Sequence, residues 1–182
     1  QDGPLDLRLD PTSGVTAAQR LRELSGEEIE AMLVENSDEP YAREIARGVM
    51  AVFKSGGAID TTRQLAAVVE EALAFLPAKE RKEAVRKSCQ RTFQALRIDV
   101  NSEFEVLYDF LEKLPGVLKP GGRAAILTFH SGEDRLVKQA FRQGLRDGTY
   151  SDAAREVIRP SAQECFQNPR AHSTKMRWAV KA

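Results

Sequence analysis

The stretch Leu118-Lys-Pro-Gly-Gly-Arg-Ala-Ala-Ile-Leu-Thr-Phe-His-Ser-Gly-Glu-Asp-Arg135 decides the fold class of this 182-residue chain. The Pro-Gly-Gly at 120–122 is a turn signal. The apolar run 123–129 lacks polar alternation, which is typical of a strand covered on both faces, as in a parallel sheet. Ser131-Gly-Glu-Asp134 fits the cap of a helix that continues to about Arg146. The stretch therefore predicts a helix–turn–strand–helix unit and an α/β fold.

Helical patterns dominate the residues before this stretch. Three segments fit the capping box, in which a hydroxyl and a carboxylate or amide satisfy the first N–H groups of a helix. These boxes begin at Thr16, Ser25 and Thr61. A further helix is predicted over 41–53, and the longest pattern joins Phe93 to Leu114 in one continuous apolar seam. Two weaker strand candidates, 156–159 and 176–181, follow the main strand.

The predicted inventory is unbalanced, with three short strands confined to the last third of the chain. Doubly wound α/β sheets usually have about five strands or more, so three make a poor sheet on their own. The chain also begins with Gln1 rather than Met. We therefore expect this sequence to be part of a larger fold.

Composition excludes several classes of protein. The 27 Lys and Arg balance 27 Asp and Glu, which excludes a uniformly basic nucleic-acid coat. No apolar run approaches the roughly 18 residues that span a bilayer, so we expect no membrane partner. Two cysteines and two histidines are too few and too scattered for a zinc site or a disulfide framework. We expect no metal and a reducing compartment.

Charge is distributed unevenly along the chain. Residues 1–40 carry ten acids and three bases, whereas residues 79–97 carry seven bases and two acids. A basic helix of this kind either neutralises phosphates or presents a solvated face, and charge alone favours the solvated face.

Two segments place polar side chains where a packed scaffold would not need them. In the first, Asp6, Arg8 and Asp10 alternate with leucines, a pattern that also fits an amphipathic edge strand. In the second, His130 follows the best strand, at the end that faces the ligand crevice in open α/β sheets. A histidine there is either a proton carrier or base-stacking group, or a loop residue before a helix cap.

The third cluster lies near the C-terminus, in residues 168–178. Arg170, Lys175 and Arg177, with His172, have the chemistry to hold phosphate. The alternative is a loop that leads into a closing strand. Alternation in that strand predicts that Met176, Trp178 and Val180 face the core while Lys175, Arg177 and Lys181 face solvent.

Together these segments resemble one family. Gly3-Pro-Leu-Asp-Leu-Arg-Leu-Asp10 resembles its G-P-L-D-M-R-M-D. Arg91-Thr-Phe-Gln-Ala-Leu-Arg97 with Val100-Asn101-x-Glu103 resembles its T-F-Q-A-L-R-I-x-V-N-x-E. Pro120-Gly-Gly-Arg123 and Phe129-His-Ser-x-Glu-Asp-Arg135 resemble its P-G-G-R and F-H-S-L-E-D-R. Asn168-Pro-Arg170 with Ser173-x-Lys175-x-Arg177 resembles its N-P-R-x-R-S-x-K-L-R. The family is the bacterial-type small-subunit ribosomal RNA (cytosine-N4)-methyltransferases, the MraW type, with organellar relatives.

The resemblance covers nearly all 182 residues, with two departures. Gly132 replaces the leucine of F-H-S-L-E-D-R, and His172 stands where arginine is usual. The implied fold is a partial class I methyltransferase, a Rossmann-like sheet with an inserted all-helical domain. The implied domains are a substrate-side segment at 1–15, the helical insert at 16–92, and the C-terminal part of the methyltransferase domain at 93–182.

The resemblance implies S-adenosylmethionine-dependent N4-methylation of a cytosine in 16S-type ribosomal RNA. The cofactor-binding glycine-rich loop and ribose-binding acid precede the G-P-L-D segment in family members, so no cofactor residue is expected in this chain. No general base is assigned. The residues expected to line one substrate crevice are Asp6, Arg8, His130, Asp134 and Arg135. Those expected at the RNA backbone are Arg91, Arg97, Arg170, Lys175 and Arg177.

Other interpretations remain open on the sequence alone. One is a non-catalytic RNA-binding or ribosome-assembly module derived from the enzyme. Another is a helical protein–protein adaptor built on residues 16–115. The enzyme interpretation implies a cytoplasmic location, with an organelle as the alternative. The incomplete sheet predicts self-association through the C-terminal third.

Overall fold

The computed structural model describes residues 2–182, which form two compact units. The first unit ends at Glu103 and the second is Phe104–Ala182. The helices up to residue 100 are α1 Ala17–Glu23, α2 Gly26–Ser37, α3 Ala42–Lys54, α4 Thr62–Ala72 and α5 Ala78–Val100. The later elements are α6 Glu103–Val117, β1 Arg123–Thr128, α7 Ser131–Arg146, β2 Tyr150–Ala153, α8 Ala162–Gln167, a 3-10 helix Pro169–Ser173 and β3 Lys175–Lys181.

All three predicted capping boxes are confirmed. The side chains of Thr16, Ser25 and Thr61 each accept a hydrogen bond from the backbone N–H three residues later. In each case the glutamine or glutamate at that third position accepts the N–H of the cap residue in return. These reciprocal bonds satisfy N–H groups that a helix start leaves unpaired, which is why α1, α2 and α4 begin where the sequence predicts.

The first unit has its own closed apolar core. Among its fully buried side chains are Leu21, Ile45, Leu65 and Leu96, which come from four different helices. Leu5 joins the same core, and its backbone N–H donates to the Asp60 carbonyl at 2.8 Å. Residues before α1 thus pack with the helices. The predicted division into domains 1–15, 16–92 and 93–182 stays a prediction.

The prediction of one continuous seam from Phe93 to Leu114 is wrong. Helix α5 ends at Val100, and Ser102 adopts a left-handed φ of 48° before α6 begins. The two-residue break preserves the three- and four-residue spacing, so periodicity alone cannot detect it. Beyond the break, Leu111 and Leu114 of the same pattern are buried, but in the core of the second unit rather than the first.

The second unit contains a three-stranded sheet in the order β1-β3-β2, and both pairings are antiparallel. Strand β1 is confirmed in position, and its described neighbour β3 runs antiparallel to it. The described residues do not cover both of its faces, and a parallel neighbour with cover on both faces stays a prediction. The residues of β1 alternate between exposed and half-buried from Arg123 to Leu127, and only Thr128 is buried. On its described side β1 pairs with β3 from Arg123↔Val180 to Thr128↔Lys175.

The strand predicted at 156–159 is also wrong. The second strand is β2, and Ile158 contributes only a single bridge to Met176. Tyr150, the first residue of β2, is 4% exposed and its ring meets Phe141 edge-on at 5.4 Å. This aromatic packing onto α7 sets the strand at 150–153, where the sequence alone shows only one aromatic residue among polar ones.

The faces of β3 are opposite to the predicted ones. Arg177 and Ala179 are buried, with exposures of 7% and 0%, while Trp178 on the other face is only half-buried. The prediction that Trp178 lies in the core is therefore wrong. The buried face is the one toward α7, because Asp134 of α7 pairs with Arg177.

The other face of the sheet carries apolar side chains without cover from the described residues. Leu127 is 58% exposed and lies opposite Met176, and Ala125 lies opposite Trp178. In the described residues β1 pairs only with β3, so its second edge keeps unpaired N–H and C=O groups. Among residues 2–182 no helix is long and apolar enough to cross a membrane.

Candidate functional site

Asp6 and Arg8 lie in an irregular loop of the first unit. The only bridge in residues 3–10 joins Pro4 to Thr61, so the edge-strand interpretation of this segment is wrong. Leu5 is buried, Leu9 is 75% exposed, and Leu7 between them has a left-handed φ of 62°. A non-glycine residue in this region is uncommon and must be held there by its surroundings.

Asp6 and Arg8 hold each other across this turn. Arg8 donates from Nε to Asp6 Oδ1 at 2.6 Å and from Nη2 to Asp6 Oδ2 at 2.9 Å. Its Nη1 donates to the Gly14 carbonyl at 3.2 Å. The hydrogen bonds from the Arg8 guanidinium lower the pKa of Asp6 more than burial raises it. Asp6 is therefore a fixed, ionised carboxylate at neutral pH, with its side chain 36% exposed.

Asn101 holds the backbone on both sides of Arg8. Its Nδ2 donates to the Leu7 carbonyl at 2.9 Å, and its Oδ1 accepts the Leu9 N–H at 2.8 Å. The same Nδ2 donates to the Arg97 carbonyl at 2.8 Å, in the last turn of α5. The sequence places Asn101 in a family motif without indicating a role. The structure shows that its amide stabilises the left-handed turn between Asp6 and Arg8.

His130 is the N-cap of α7. Its Nδ1 accepts the Glu133 N–H at 3.4 Å, so the helix begins one residue before the predicted Ser131 cap. Because Nδ1 is the acceptor, a neutral ring carries its proton on Nε2. That Nε2 is buried and lies 3.4 Å from Glu133 Oε1. Of the two interpretations left open for His130, the structure supports a capping histidine.

Glu133 belongs to the F-H-S-x-E-D-R motif and organises the start of α7. Its Oε2 accepts the Phe129 N–H at 2.8 Å, at the end of β1. Burial raises the pKa of Glu133, but the hydrogen bonds to His130 and Phe129 outweigh it, and the pKa lies below its ordinary value. The signal in the sequence is its position three residues after the cap, where Glu is favoured.

Asp134 forms a buried pair with Arg177. The Arg177 Nε and Nη2 atoms donate to the two carboxylate oxygens at 2.7 and 3.1 Å. Burial raises the pKa of Asp134, but the Arg177 hydrogen bond and charge, with the charges of Lys175 and Lys138, bring it below the ordinary value. Arg177, which was expected at the RNA backbone, is 7% exposed and lies against Asp134. A contact between Arg177 and RNA stays a prediction.

The other predicted RNA-backbone residues are more exposed. Arg91 lies 4.0 Å from Glu39, and Arg97 forms a bidentate pair with Glu103 at 2.7 and 3.0 Å. Arg170 is exposed in the 3-10 helix, and Lys175 is half-exposed opposite Thr128. The charge of Lys175 contributes to lowering the pKa of Asp134, which places Lys175 near the Asp134–Arg177 pair.

Arg135 is exposed in the first turn of α7, one residue after Asp134. The predicted crevice residues divide between the units: Asp6 and Arg8 belong to the first, and His130, Asp134 and Arg135 to the second.

Gly132 gives room to an aromatic ring beside His130. A Cβ at position 132 would lie 2.5 Å from Phe104 Cζ, closer than real Cβ atoms approach other atoms. The Phe104 and His130 rings are tilted by 46° with centroids 5.8 Å apart. Phe104 thus fills the space over the first turn of α7 that the family's leucine would need.

Comparison with known proteins supports one family throughout. The model of the MraW methylase family matches residues 1–182. The chain is 63% identical to ribosomal RNA small subunit methyltransferase H 1 of Agathobacter rectalis, covering 100% of the chain and 52% of that protein. It is 61% identical to the protein of the same name in Lachnoclostridium phytofermentans, covering 100% and 50%.

A third relative is ribosomal RNA small subunit methyltransferase H 2 of Alkaliphilus metalliredigens, 55% identical over 100% of the chain and 52% of that protein. The chain spans about half the length of these curated relatives. The match over every residue from 1 to 182 confirms the resemblance carried by the four motifs, and this chain belongs to the MraW methylase family.

Proposed function

We propose that the protein containing this chain transfers a methyl group from S-adenosylmethionine to N4 of a cytosine in small-subunit ribosomal RNA. The observation that carries the proposal is the polar cluster at the carboxyl end of β1, where His130 and Glu133 cap α7 and Arg177 fixes Asp134. Ligands of α/β sheets bind at this end of the strands. The cluster coincides with the F-H-S-x-E-D-R motif of a family whose relatives are named for ribosomal RNA methylation.

The reaction sets three requirements for the substrate side. The lone pair of the cytosine amine is delocalised into the ring, so the base must be held in one orientation with N4 aligned to the methyl donor. A base inside an RNA helix must first leave its stack. The amine must also lose a proton as the N–C bond forms. Groups that accept hydrogen bonds from the amine therefore contribute directly to positioning.

Asp6 has the properties that such a contact needs. Its carboxylate is ionised, partly exposed and held on one side by Arg8, so free lone pairs remain for an N–H donor. In this proposal Asp6 accepts a hydrogen bond from the cytosine amine, and Arg8 is a positioning residue. Asn101 acts one step further away, through the backbone of Leu7 and Leu9.

The cluster in the second unit is proposed to orient substrate beside β1. His130, Asp134 and Arg135 occupy the cap and first turn of α7, where the helix dipole favours negative charge. Arg177 holds Asp134 in place. The proposed contacts to the RNA backbone are Arg91, Arg97, Arg170 and Lys175.

The residues of this chain do not fit the pocket of S-adenosylmethionine. Such a cofactor needs a glycine-rich turn between a strand and a helix. In residues 2–182 the turn from β1 to α7 is instead closed by the His130 side chain. A Cβ at Gly122 would lie 2.7 Å from the Lys119 carbonyl, so that glycine serves its own turn. We therefore assign no cofactor residue here and derive no step through the cofactor.

The test uses the full-length protein, unmethylated small-subunit RNA and methyl-labelled S-adenosylmethionine. Nuclease digestion and mass spectrometry of the nucleosides should show N4-methylcytidine. Asp6→Asn keeps the size of the side chain but removes its charge, and should lower kcat at least tenfold. Asp10→Asn, whose carboxylate binds Thr12 and Ser13, is the matched control and should retain activity. A methyl group on another atom or base would contradict the proposal.

The same experiment decides the alternative of a non-catalytic RNA-binding or assembly module. Such a module would bind the RNA but leave it unlabelled in the presence of S-adenosylmethionine. A protein that modifies small-subunit RNA works where ribosomes are assembled, which for the bacterial relatives is the cytoplasm. We propose the same location for this protein.

A further inference from the structure

The charged side chains that line a small cavity in the second unit are all basic. The cavity has a volume of about 180 Å³ and lies between α7, the residues after β2 and β3. Its apolar surface includes Phe141 and Ala153. Its charged side chains are Lys138, Arg142, Arg155 and Arg177. No Asp or Glu is among the described residues that line it.

This lining differs from those of the other cavities. A cavity of about 670 Å³ beside α6 and α7 mixes Arg142 and Arg146 with Glu112 and Asp147. A cavity of about 750 Å³ between α2 and α3 mixes arginines with glutamates, and a neighbouring one on α2 is acidic. The small cavity therefore combines two cations of α7, Lys138 and Arg142, with Arg155 and Arg177 from later segments, which a solvated basic helix face does not.

The charge of this cavity is only partly balanced within the protein. Arg177 is 7% exposed and paired with Asp134, which also feels the charge of Lys138. Arg142 and Arg155 are exposed, and among residues 2–182 neither forms an ion pair within 4.0 Å. Glu156 follows Arg155 in the chain but does not line the cavity. Cations gathered in this way repel each other, and an anion between them removes that repulsion.

The size and donor geometry favour a phosphate group. A volume of about 180 Å³ holds a phosphate with its water but is small for a nucleotide. Guanidinium groups donate two parallel hydrogen bonds to phosphate oxygens, and Lys138 supplies a point charge. Apolar floor residues limit competition from water. The lining thus matches a tetrahedral dianion or a phosphodiester better than a carboxylate peptide.

We propose that this basic cavity binds a backbone phosphodiester of the RNA substrate and so anchors the RNA to the second unit. The inference rests on the proposed function. Helix α7 extends the site, because Arg135, Lys138, Arg142 and Arg146 recur at intervals of three and four residues on one face. Because an α-helix rises about 1.5 Å per residue, neighbouring basic side chains are about 5 to 6 Å apart along its axis. This distance is close to the spacing of successive phosphates in an extended RNA strand.

The experiment compares two double variants of the full-length protein with the same loss of charge. Lys138→Gln with Arg155→Gln removes two cavity cations and leaves the buried Arg177 in place. Lys119→Gln with Arg159→Gln, both exposed in the same unit and outside the cavity lining, is the control. Binding to a labelled small-subunit RNA fragment is measured by fluorescence anisotropy over a range of salt concentrations, and circular dichroism verifies folding.

The cavity variant should bind RNA about tenfold more weakly, with a salt slope shallower by about one, because the contact to one phosphate is lost. The control should change affinity less than twofold. Equal effects of both variants would overturn the proposal and indicate diffuse charge. Inorganic phosphate should compete with RNA for the unmodified protein only.

If the cavity variant loses phosphate binding but keeps its RNA affinity, the cavity binds free anions and the RNA proposal is wrong. Methyl transfer is measured in parallel to separate the two proposals. Cavity-dependent RNA binding without methyl transfer would refute the proposed function and leave the cavity intact. Normal methyl transfer with no difference between the double variants would refute the cavity alone.

Discussion

The two units differ in how completely they bury their apolar side chains and pair their backbone groups within the described residues. The first has a closed core drawn from five helices and buries Leu65 and Leu96 fully. The second has a smaller core, and within residues 2–182 its sheet has an unpaired edge at β1 and an apolar face that includes the mostly exposed Leu127. Charge differs as well. The first unit holds 14 bases and 18 acids, and the second 13 bases and nine acids.

The difference separates two sources of stability. Reciprocal caps and local apolar stripes explain α1, α2 and α4 without reference to distant residues. Strand β1 depends instead on pairing with β3, which is some fifty residues later, and on whatever covers its remaining edge and face. The excess of bases in the second unit also makes it the better candidate for phosphate contacts.

The largest expected effect tests the closed core against the open face. Leu65→Ala should lower the free energy of unfolding of the first unit by about 3 kcal/mol, because a fully buried leucine leaves a cavity. Leu127→Ala is the matched control and should change stability by less than about 0.5 kcal/mol, since its side chain is mostly exposed. Urea unfolding followed by circular dichroism measures both.

Amide hydrogen exchange checks the same contrast without substitution. Residues 65–73 should be strongly protected and residues 126–129 weakly, and the chain on its own should associate through the second unit. A monodisperse monomer with uniformly protected strands would contradict the open-edge description. So would a large loss of stability in Leu127→Ala.

The next prediction concerns the Asp134–Arg177 pair. Arg177→Met should destabilise the second unit by about 2 kcal/mol, because the carboxylate loses its partner in a site that is 15% exposed. The pKa of Asp134 is lowered in the folded protein, so the pair stabilises the fold above the ordinary pKa of 3.8 and less as pH falls through the folded value. Hydrogen exchange of β3 measures the effect.

Asp134→Asn should lose this part of the acid dependence while the first unit keeps its exchange rates. If both units lose protection to the same extent in Arg177→Met, the two units do not unfold independently.

A smaller effect is expected at Asn101. In Asn101→Asp a carboxylate replaces an amide that donates to the Leu7 and Arg97 carbonyls, so the loop from Asp6 to Gly14 should loosen by about 1 kcal/mol. Protonation restores a donor, so lowering the pH toward 4 should partly recover the exchange protection of this loop. Asn101→Ala should show no such recovery. An unchanged loop in both variants would mean that Asn101 does not position it.

Sequence reasoning succeeded where the determinants are local. The three capping boxes, helix α7 and the positions of β1 and β3 all follow from short-range patterns. It failed where a distant partner decides the outcome. The antiparallel pairing of β1 depends on β3. The buried face of β3 carries Arg177, whose partner Asp134 is 43 residues away. Periodicity also missed the break at Ser102, because the spacing of apolar residues continues across it.

The candidate site shows the same limit. The motifs single out Asp6, Arg8, His130 and Asp134, but they do not indicate which residues form hydrogen bonds or ion pairs with them. Arg8 reaches Asp6 because Leu7 between them has a left-handed backbone conformation. A leucine in a sequence does not indicate that conformation. That His130 caps a helix follows from where β1 ends.

The smallest effect is expected from single arginines in the first unit. Arg97→Ala should weaken RNA binding about threefold and make the salt slope shallower by about one, because one phosphate contact is lost. Arg43→Ala, whose side chain pairs with Glu30 on a mixed-charge surface, is the matched control and should have no effect. Anisotropy with the full-length protein measures both. Equal losses would mean that the first unit contributes only general charge.

The close approach of Phe104 to Gly132 couples these two positions. A Cβ at position 132 already requires the Phe104 ring to move, and the leucine of the family motif is larger still. Leucine at position 132 therefore requires a smaller residue at position 104 on this backbone. The effect of a substitution at either position depends on the residue at the other, as it does for side chains in direct contact.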